Sequence, residues 1–291
     1  MIDKILRDII NLLLYGGAFI GLCAACITAL TFELVGEVGQ LQLSYILLIG
    51  VSTAALYSGH RVIGLHKVAH VTAHERYTVI RKYKVHIWVY CAVWIVLSIW
   101  LFIPLASIEF LEWLIPGGSI AVMYVLPLLS KGRRLRDLGW VKIIMIGWSW
   151  AWLTALMPAL YFGKEPLFIS IFMGLGRMLF IIAITIPFEI RDISVDGSVG
   201  LTTLPVYLGM EKTIRSGIVL CFLLIGFVTV SSFHYHDPAY GISMSLVSIL
   251  SIWILKKSPH ITDDYFFSGL TDGTMVLALS VYCVVGNLIC T

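Results

Sequence analysis

Nine apolar runs of about 20 residues each dominate the sequence and constrain its fold more than any other feature. They cover residues 9–30, 43–60, 85–106, 111–129, 140–162, 167–189, 214–233, 239–255 and 271–289. A segment inside a bilayer must satisfy its backbone hydrogen bonds internally, and these runs are about twice the length of a barrel strand and do not alternate polar with apolar residues. The sequence therefore predicts an all-α integral membrane protein with nine spanning helices.

Composition agrees with this class, since 59% of the residues are hydrophobic and 13% are charged, with a mean hydropathy of +0.94. Soluble domains lie far from these values. The first run is too long for the core of a signal peptide and no clear cleavage site follows it, so we interpret it as a retained span. No linker or low-complexity tract interrupts the chain, which predicts one membrane domain over residues 1–291. The lipid bilayer is the expected partner, and nucleic acid is not expected.

Lysine and arginine are distributed unevenly between alternate loops. Eighteen of the 20 basic residues lie in the N-terminal segment, in the loops after the second, fourth, sixth and eighth runs, or within the first three residues of the run that follows such a loop. Cytoplasmic loops carry the excess of basic residues, so the asymmetry predicts a cytoplasmic N-terminus and an outer C-terminus. We expect a multi-pass protein of the cytoplasmic (inner) membrane, with its chemistry at the cytoplasmic mouth, where the polar residues are densest.

The sixth run ends in an acidic stretch, FEIRDISVDGSVGLTTLPVYLG, over residues 188–209. Glu189, Asp192 and Asp196 are three and four residues apart, a spacing that places them on one face of a helix. Like charges on one face repel each other unless a cation lies among them. The pattern indicates either a metal site or a helix end that reaches water, with its acids partly paired to Arg191.

This stretch resembles the second signature of the UbiA superfamily of intramembrane prenyltransferases, which reads close to R-D-I-x-x-D-x-x-x-G-x-x-T-L-P-x-x-L-G. Ten positions match, namely Arg191, Asp192, Ile193, Asp196, Gly200, Thr203, Leu204, Pro205, Leu208 and Gly209. The number of runs and the loop lengths extend the resemblance over most of the chain. The segment YVLPLLSKGRR also resembles the family's stretch after the fourth helix, and its corresponding residues are Tyr124, Pro127, Lys131 and Arg134.

The resemblance implies a central cavity among nine helices that takes an isoprenoid diphosphate, with Mg²⁺ bridging carboxylates to phosphate oxygens. It implies Asp192 and Asp196 as metal ligands, with Glu189 as a third ligand or as a group that supports them. The residues independently permit this, because Mg²⁺ prefers one or two carboxylates together with substrate phosphates. Cations at this position would stabilise the charge that develops on the leaving diphosphate.

The first acidic motif of the family, N-D-x-x-D-x-x-x-D, is missing from the corresponding segment, LYSGHRVIGLHK, over residues 56–67. The next acid after this segment is Glu75. His60, Arg61 and Lys67 could instead bind diphosphate oxygens directly, a fixed cation replacing a bound one. Alternatively, Arg61 and Lys67 are interfacial anchors of a loop that has lost its chemistry.

Two expectations concern positive charge at the site. One Mg²⁺ would leave about one charge of a diphosphate to be offset by the protein, so we expect Arg61 to face Asp192 across the cavity mouth. Arg177 lies inside the sixth run, where a charge is costly unless it is paired or faces a cavity. Fifteen residues separate Arg177 from Asp192, which places the two about 60° apart on a straight helix. We therefore expect Arg177 to line the same cavity, with a carboxylate as its partner, and the alternative is that it snorkels to the far interface.

Three functions are compatible with these residues. The first is a prenyltransferase, which ionises an isoprenoid diphosphate and passes the prenyl group to an aromatic or lipid acceptor. The second is a terpene cyclase of the same superfamily, which needs no acceptor. The third is a non-catalytic protein that binds isoprenoids or lipids and keeps half of the metal site. We favour the prenyltransferase. Its expected catalytic residues are Asp192, Asp196 and Arg61, and those expected to bind substrate are His60, Lys67, Lys131, Arg134, Arg177, Arg191 and Tyr124.

Overall fold

The structure is a computed structural model, and it describes residues 2–36, 38–64, 75–126, 128–129, 135–198 and 200–290. Its helices are α1 (Ile2–Tyr15), α2 (Ala18–Val35), α3 (Gln40–Gly64), α4 (Glu75–Lys82), α5 (Lys84–Phe102), α6 (Ile108–Val125), α7 (Val141–Ala151), α8 (Leu167–Arg191), α9 (Ile193–Ser198), α10 (Leu204–Leu208), α11 (Met210–Tyr235), α12 (Pro238–Lys257) and α13 (Asp272–Cys290). Segments of π-helix extend the fifth span at its end and the ninth at its start, over Trp152–Leu156, Pro158–Phe162 and Phe266–Thr271.

Nine helical stretches among the described residues are long and apolar enough to cross a membrane, which confirms the predicted number and the all-helical class. They run over Ala18–Val35, Gln40–Ile63, Lys84–Leu105, Ile108–Val125, Val141–Phe162, Leu167–Arg191, Met210–Tyr235, Pro238–His260 and Phe266–Ile289. The chain is therefore a multi-pass integral membrane protein. The orientation of its termini and the central cavity stay predictions.

The helices fall into two compact units. The first comprises Met1–Ala25 and Gln40–Ala106, and the second comprises Cys26–Gly39 and Ser107–Thr291. In the first unit, α3 packs against α5, and α5 also contacts α1 and α4. In the second unit, α8 packs against α7, α11 and α12. The single domain expected from the sequence stays a prediction.

The first span begins later than predicted, because the helix breaks at Gly16 and Gly17. The sequence predicts a span over residues 9–30, whereas α1 ends at Tyr15 and α2 begins at Ala18. Gly17 has a φ of +85°, and a Cβ at this residue would overlap the Ala54 carbonyl and lie 2.5 Å from Ser58 Oγ. Only glycine accommodates both this backbone conformation and the close approach to α3. Apolar composition alone does not reveal such a break.

The core of the second unit surrounds α8 and fixes the position of its C-terminal end. Apolar side chains from α7, α8, α11 and α12 form one buried cluster, which contains Ile143, Ala183, Ile186, Ile190, Cys221 and Leu255. Membrane helices gain their stability from such close packing rather than from exclusion of water. The last turns of α8 are therefore fixed by packing, and the acidic stretch begins at this packed end.

Two loops meet beside the end of α8. After α9, the chain passes through Gly200 into α10 and then turns at Gly209, and both glycines have a positive φ. Gly139, in the loop after the fourth span, has a φ of +64° and lies against this segment, because a Cβ there would be 2.5 Å from the Thr202 carbonyl oxygen. The contact brings the loop before α7 to the residues of the second signature.

Candidate functional site

The predicted acidic face lies where α8 ends and α9 begins. Arg191 is the last residue of α8, and the backbone N–H of Asp192 still donates to the Phe188 carbonyl at 3.0 Å. α9 resumes at Ile193, so the backbone remains close to helical through the acidic stretch. The backbone of Asp196 lies in α9, but its side chain lies outside the described residues.

Arg191 is the cation that lies among these acids. Its Nε and Nη2 donate to Asp192 Oδ1 and Oδ2 at 2.8 and 3.2 Å, a bidentate arrangement. Its Nη1 donates to Asp264 Oδ1 at 3.0 Å. The guanidinium carbon lies 5.1 Å from the ring centroid of Phe188 and 5.2 Å from that of Phe267. One arginine therefore connects the second signature to the segment that precedes the ninth span.

Asp264 contacts a predicted site residue, Arg191, and was not among the residues predicted from the sequence. It follows α12 by only a few residues, and Asp263 beside it shapes the turn by accepting the Tyr265 N–H at 2.9 Å. The available signal was a pair of adjacent acids directly before an apolar run, in a loop expected on the same side of the membrane as the second signature. The contact between Asp264 and Arg191 could not be predicted from the sequence, because the two residues are 73 positions apart.

Glu189 forms a buried ion pair with Lys142, the second residue of α7. Lys142 Nζ lies 2.9 Å from Glu189 Oε1, and the two side chains are 8% and 6% exposed. Buried charges are tolerated when they are paired in this way. In the sequence, Lys142 is distinguished only as one of the basic residues that follow the fourth run. A role for Glu189 in binding metal stays a prediction, and the described geometry instead supports a structural pair that joins α7 to α8.

In the first unit, the segment that replaces the first acidic motif holds α1. Arg61 donates from Nη1 to the Leu14 carbonyl and its guanidinium carbon lies 5.3 Å from the Tyr15 ring centroid. The last carbonyls of a helix lack partners within it, so Arg61 caps α1. The Gly16 carbonyl accepts hydrogen bonds from Ser58 Oγ at 2.7 Å and from Trp94 Nε1 at 3.0 Å.

The remaining expectations for this segment are not tested. His60 is half-buried near the end of α3. Binding of diphosphate by His60 and Arg61, and the placement of Arg61 opposite Asp192, stay predictions. Lys67 lies outside the described residues.

Arg177 is buried, and its hydrogen bonds within the described residues go to neutral oxygens. Its Nη1 donates to the Ile27 carbonyl and to Thr154 Oγ1, both at 2.8 Å, and its Nη2 donates to Thr31 Oγ1 at 3.1 Å. Thr154 lies in the π-helical segment Trp152–Leu156, where the helical hydrogen-bond pattern is locally altered. The prediction of a carboxylate partner for Arg177 is therefore wrong, because neutral oxygens of α2 and the fifth span bind it instead. The alternative, that the side chain snorkels to the far interface, does not occur either. Binding of substrate by Arg177 stays a prediction.

Of the candidates near the fourth span, Tyr124 is half-buried in the last turn of α6, whereas Lys131 and Arg134 lie outside the described residues. Within the described part of the chain, no three His, Cys, Asp or Glu side chains are grouped so that they could hold a metal ion. Asp192 nevertheless fits Mg²⁺ as one protein ligand, because its side chain is 24% exposed and each carboxylate oxygen can accept more than one bond. Mg²⁺ commonly completes its shell with phosphate oxygens and water.

No protein-family model matches the sequence, and no curated protein matches it, but solved structures match its fold. A UbiA homologue from Archaeoglobus fulgidus bound to GPP and Mg²⁺ aligns with a TM-score of 0.64 and 14% identity over 94% of this chain and 99% of that one. A UbiA homologue from Aeropyrum pernix K1 aligns with a TM-score of 0.58 and 16% identity over 93% and 96%. A structure of digeranylgeranylglyceryl phosphate synthase aligns with a TM-score of 0.52 and 14% identity over 96% of this chain and 98% of that one.

These alignments cover nearly the whole of both chains. The protein therefore has the fold of the intramembrane UbiA homologues. The predicted resemblance to that superfamily is confirmed at the level of the fold.

Proposed function

We propose that the protein is a membrane-embedded prenyltransferase, which binds an isoprenoid diphosphate with Mg²⁺ and transfers the prenyl group to an aromatic or lipid acceptor. One observation carries the proposal: the second signature lies at the end of α8, with the Asp192 carboxylate oriented by Arg191. Two structures of the A. fulgidus homologue, which shares this fold, were solved with GPP or DMAPP and Mg²⁺. We further propose the cytoplasmic membrane as its location, with this end of α8 facing the cytoplasm.

In the proposed site, Asp192 and Asp196 are the residues that hold Mg²⁺. When bound, the ion supplies positive charge to the diphosphate oxygens. Arg191 orients the Asp192 carboxylate through two hydrogen bonds. The carboxylate is therefore already held in place before the substrate binds. The ion pair of Lys142 and Glu189 adds no net charge to the site, and it joins α7 to α8 three residues before Asp192.

The proposed reaction breaks the bond between C1 of the prenyl group and the diphosphate oxygen, and the electron pair leaves with the diphosphate. A nucleophilic atom of the acceptor then bonds to C1, and the acceptor releases a proton. Preorganised cations lower the barrier because they stabilise charge on the leaving oxygen as it develops. Arg61, His60, Lys67, Lys131, Arg134 and Tyr124 are the proposed diphosphate-binding residues. Arg61 has five N–H donors, so capping α1 does not by itself prevent a phosphate contact.

A second candidate function is non-catalytic binding of isoprenoids or lipids. It is favoured by the contacts in the segment that replaces the first motif, where Arg61 and Ser58 bind the carbonyls of Leu14 and Gly16. Residues of this segment have thus acquired structural partners. A protein that kept the fold but used only the second signature would show this arrangement.

Product analysis tests the proposal. The purified protein in lipid nanodiscs is incubated with allylic diphosphates of several chain lengths, with Mg²⁺ or EDTA, and with or without aromatic and lipid acceptors. We expect a Mg²⁺-dependent product whose mass equals acceptor plus prenyl group minus one proton. Release of diphosphate without an acceptor would indicate the cyclase, and tight diphosphate binding without turnover would indicate the non-catalytic protein.

A further inference from the structure

We propose that Asp264 is a positioning residue of the site: through Arg191, it fixes the Asp192 carboxylate, and it restores the negative charge that Arg191 neutralises. The inference rests on the proposed function. It assigns a role in the site to the segment between α12 and the ninth span, which carries no recognised motif.

The geometry shows how Asp264 acts on Asp192 through Arg191. The guanidinium is a planar fork, and it is held at three nitrogens by two carboxylates on different parts of the chain. The Phe188 and Phe267 rings also pack close to it, with their centroids 5.1 and 5.2 Å from the guanidinium carbon. Because rotation of Arg191 would break its bond to Asp264, the orientation of Asp192 depends on that bond.

The segment that carries Asp264 is firmly attached to α8. Phe267 is fully buried and lies 6.0 Å from the Phe188 ring, measured between centroids. It belongs to the π-helical start of the ninth span, and this π-helix contacts α8. Asp264 itself is 14% exposed. The carboxylate is therefore held by packing and does not depend on the weak attraction of an exposed surface pair.

The second reason to assign Asp264 a role is the net charge of the proposed site. The two proposed metal ligands, Asp192 and Asp196, carry two negative charges, and Arg191 cancels one of them, which leaves a net charge of −1. With Asp264 these four side chains have three negative charges and one positive charge, a net charge of −2. Lys142 and Glu189 sum to zero nearby. Asp264 thus restores the negative charge that Arg191 neutralises, and the more negative site favours a divalent cation.

The test compares Asp264→Asn with Asp263→Asn in the full chain in nanodiscs. Both changes remove one negative charge from the same turn, but Asp263 is exposed and its carboxylate accepts the local Tyr265 N–H. An Asn side-chain oxygen can still accept that bond. Mg²⁺ is titrated by calorimetry in the presence of inorganic pyrophosphate, and thermal unfolding is measured in EDTA.

We expect Asp264→Asn to raise the Kd for Mg²⁺ about tenfold, because outer residues that orient a ligand typically contribute 10-fold or more to metal affinity. Asp263→Asn should change the Kd by less than about twofold. Equal Kd values for the two variants would overturn the inference. If Asp264→Asn does not fold, Arg191→Lys replaces it, since Lys keeps the charge and loses the fork, and an unchanged Kd in that variant would likewise overturn the inference.

A third comparison separates this inference from the proposed function. Asp192→Asn should abolish Mg²⁺ binding. If the unaltered protein does not bind Mg²⁺ with pyrophosphate, or if Asp192→Asn binds it as well as the unaltered protein, the proposed function fails together with the inference. If binding depends on Asp192 but not on Asp264, only the inference fails.

Discussion

Arg191 and Arg61 lie in the two segments that correspond, by the sequence resemblance, to the acidic motifs of the UbiA superfamily, and their described contacts differ. Arg191, where the signature is intact, donates to the carboxylates of Asp192 and Asp264. Arg61, where the motif is lost, donates to the backbone carbonyl of Leu14 and packs on Tyr15. A guanidinium between acids orients functional carboxylates, whereas one on a helix end stabilises that end. Among the contacts of the described residues, those of Arg191 thus join charged groups, and those of Arg61 attach α1.

The largest expected effect is in the intact segment. Asp192→Asn should reduce Mg²⁺-dependent product formation at least about 1,000-fold, because stabilisation of the leaving group by a metal ion is worth several kcal/mol and each 1.36 kcal/mol is tenfold in rate. The melting temperature should change little, since the side chain is partly exposed. Turnover is measured by product mass. Full Mg²⁺-dependent activity in this variant would refute the assignment of Asp192.

Lys142→Ala should have the largest effect on stability. Removing one partner of a buried ion pair leaves an uncompensated charge, so we expect a loss of about 3–5 kcal/mol in the free energy of unfolding. The double variant Lys142→Met with Glu189→Leu removes both charges and should recover most of that loss. Reversible unfolding in mixed micelles measures both. A double variant as unstable as the single one would show that the pair's charges are not the cause.

Gly17→Ala tests the attachment of α1 in the altered segment. A Cβ at this residue would overlap the Ala54 carbonyl, and its φ of +85° disfavours any other residue, so we expect a loss of about 2 kcal/mol. Gly197→Ala is the matched control, since no atom of the described residues lies within 4 Å of the corresponding Cβ position. The two variants are compared by thermal unfolding and by proteolysis between α1 and α2. Equal stability of the two would contradict the close packing of Gly17 on α3.

Arg61→Ala gives the smallest expected effect and decides whether the altered segment retains chemistry. If Arg61 binds phosphate oxygens in addition to capping α1, the Kd for an isoprenoid diphosphate should rise about tenfold, in line with a lost hydrogen bond to a charged group. Arg61→Lys should recover only part of the affinity, because the bidentate geometry is lost. Unchanged affinity in Arg61→Ala would leave this segment a purely structural role and favour the non-catalytic function.

The sequence predicts the parts of this fold that depend on local composition. Nine stretches of about 20 apolar residues are sufficient to predict nine spans. The spacing of Glu189 and Asp192 and the residues that follow them are sufficient to indicate an acidic helix end of the UbiA type. The break at Gly16 and Gly17 is different, because the residues on both sides of it are apolar and only the approach of α3 requires glycine there.

Contacts between distant segments were beyond prediction. Arg191 bonds to Asp264 across 73 residues, and Arg177 bonds to the Ile27 carbonyl across 150. One partner of Arg177, Thr154, lies in a π-helical segment that has no sequence signal, and the other two, Ile27 and Thr31, lie on α2. A carboxylate was therefore expected where neutral oxygens occur. Lys142 was assigned to a loop, although the packing of α7 on α8 places it against Glu189. In each case the sequence shows that the side chain is polar, but the packing of the helices determines which group it contacts.

The most direct test of the central claim, that the end of α8 is a metal and diphosphate site, is an experimental structure with Mn²⁺ and a non-hydrolysable geranyl thiodiphosphate. Mn²⁺ in place of Mg²⁺ can be located by its anomalous scattering. We predict an anomalous peak at bonding distance from the Asp192 carboxylate, with Arg191 still joined to Asp264 and the diphosphate on the other side of the ion. A diphosphate bound elsewhere, with Asp192 paired to Arg191 alone and no peak beside it, would contradict the account.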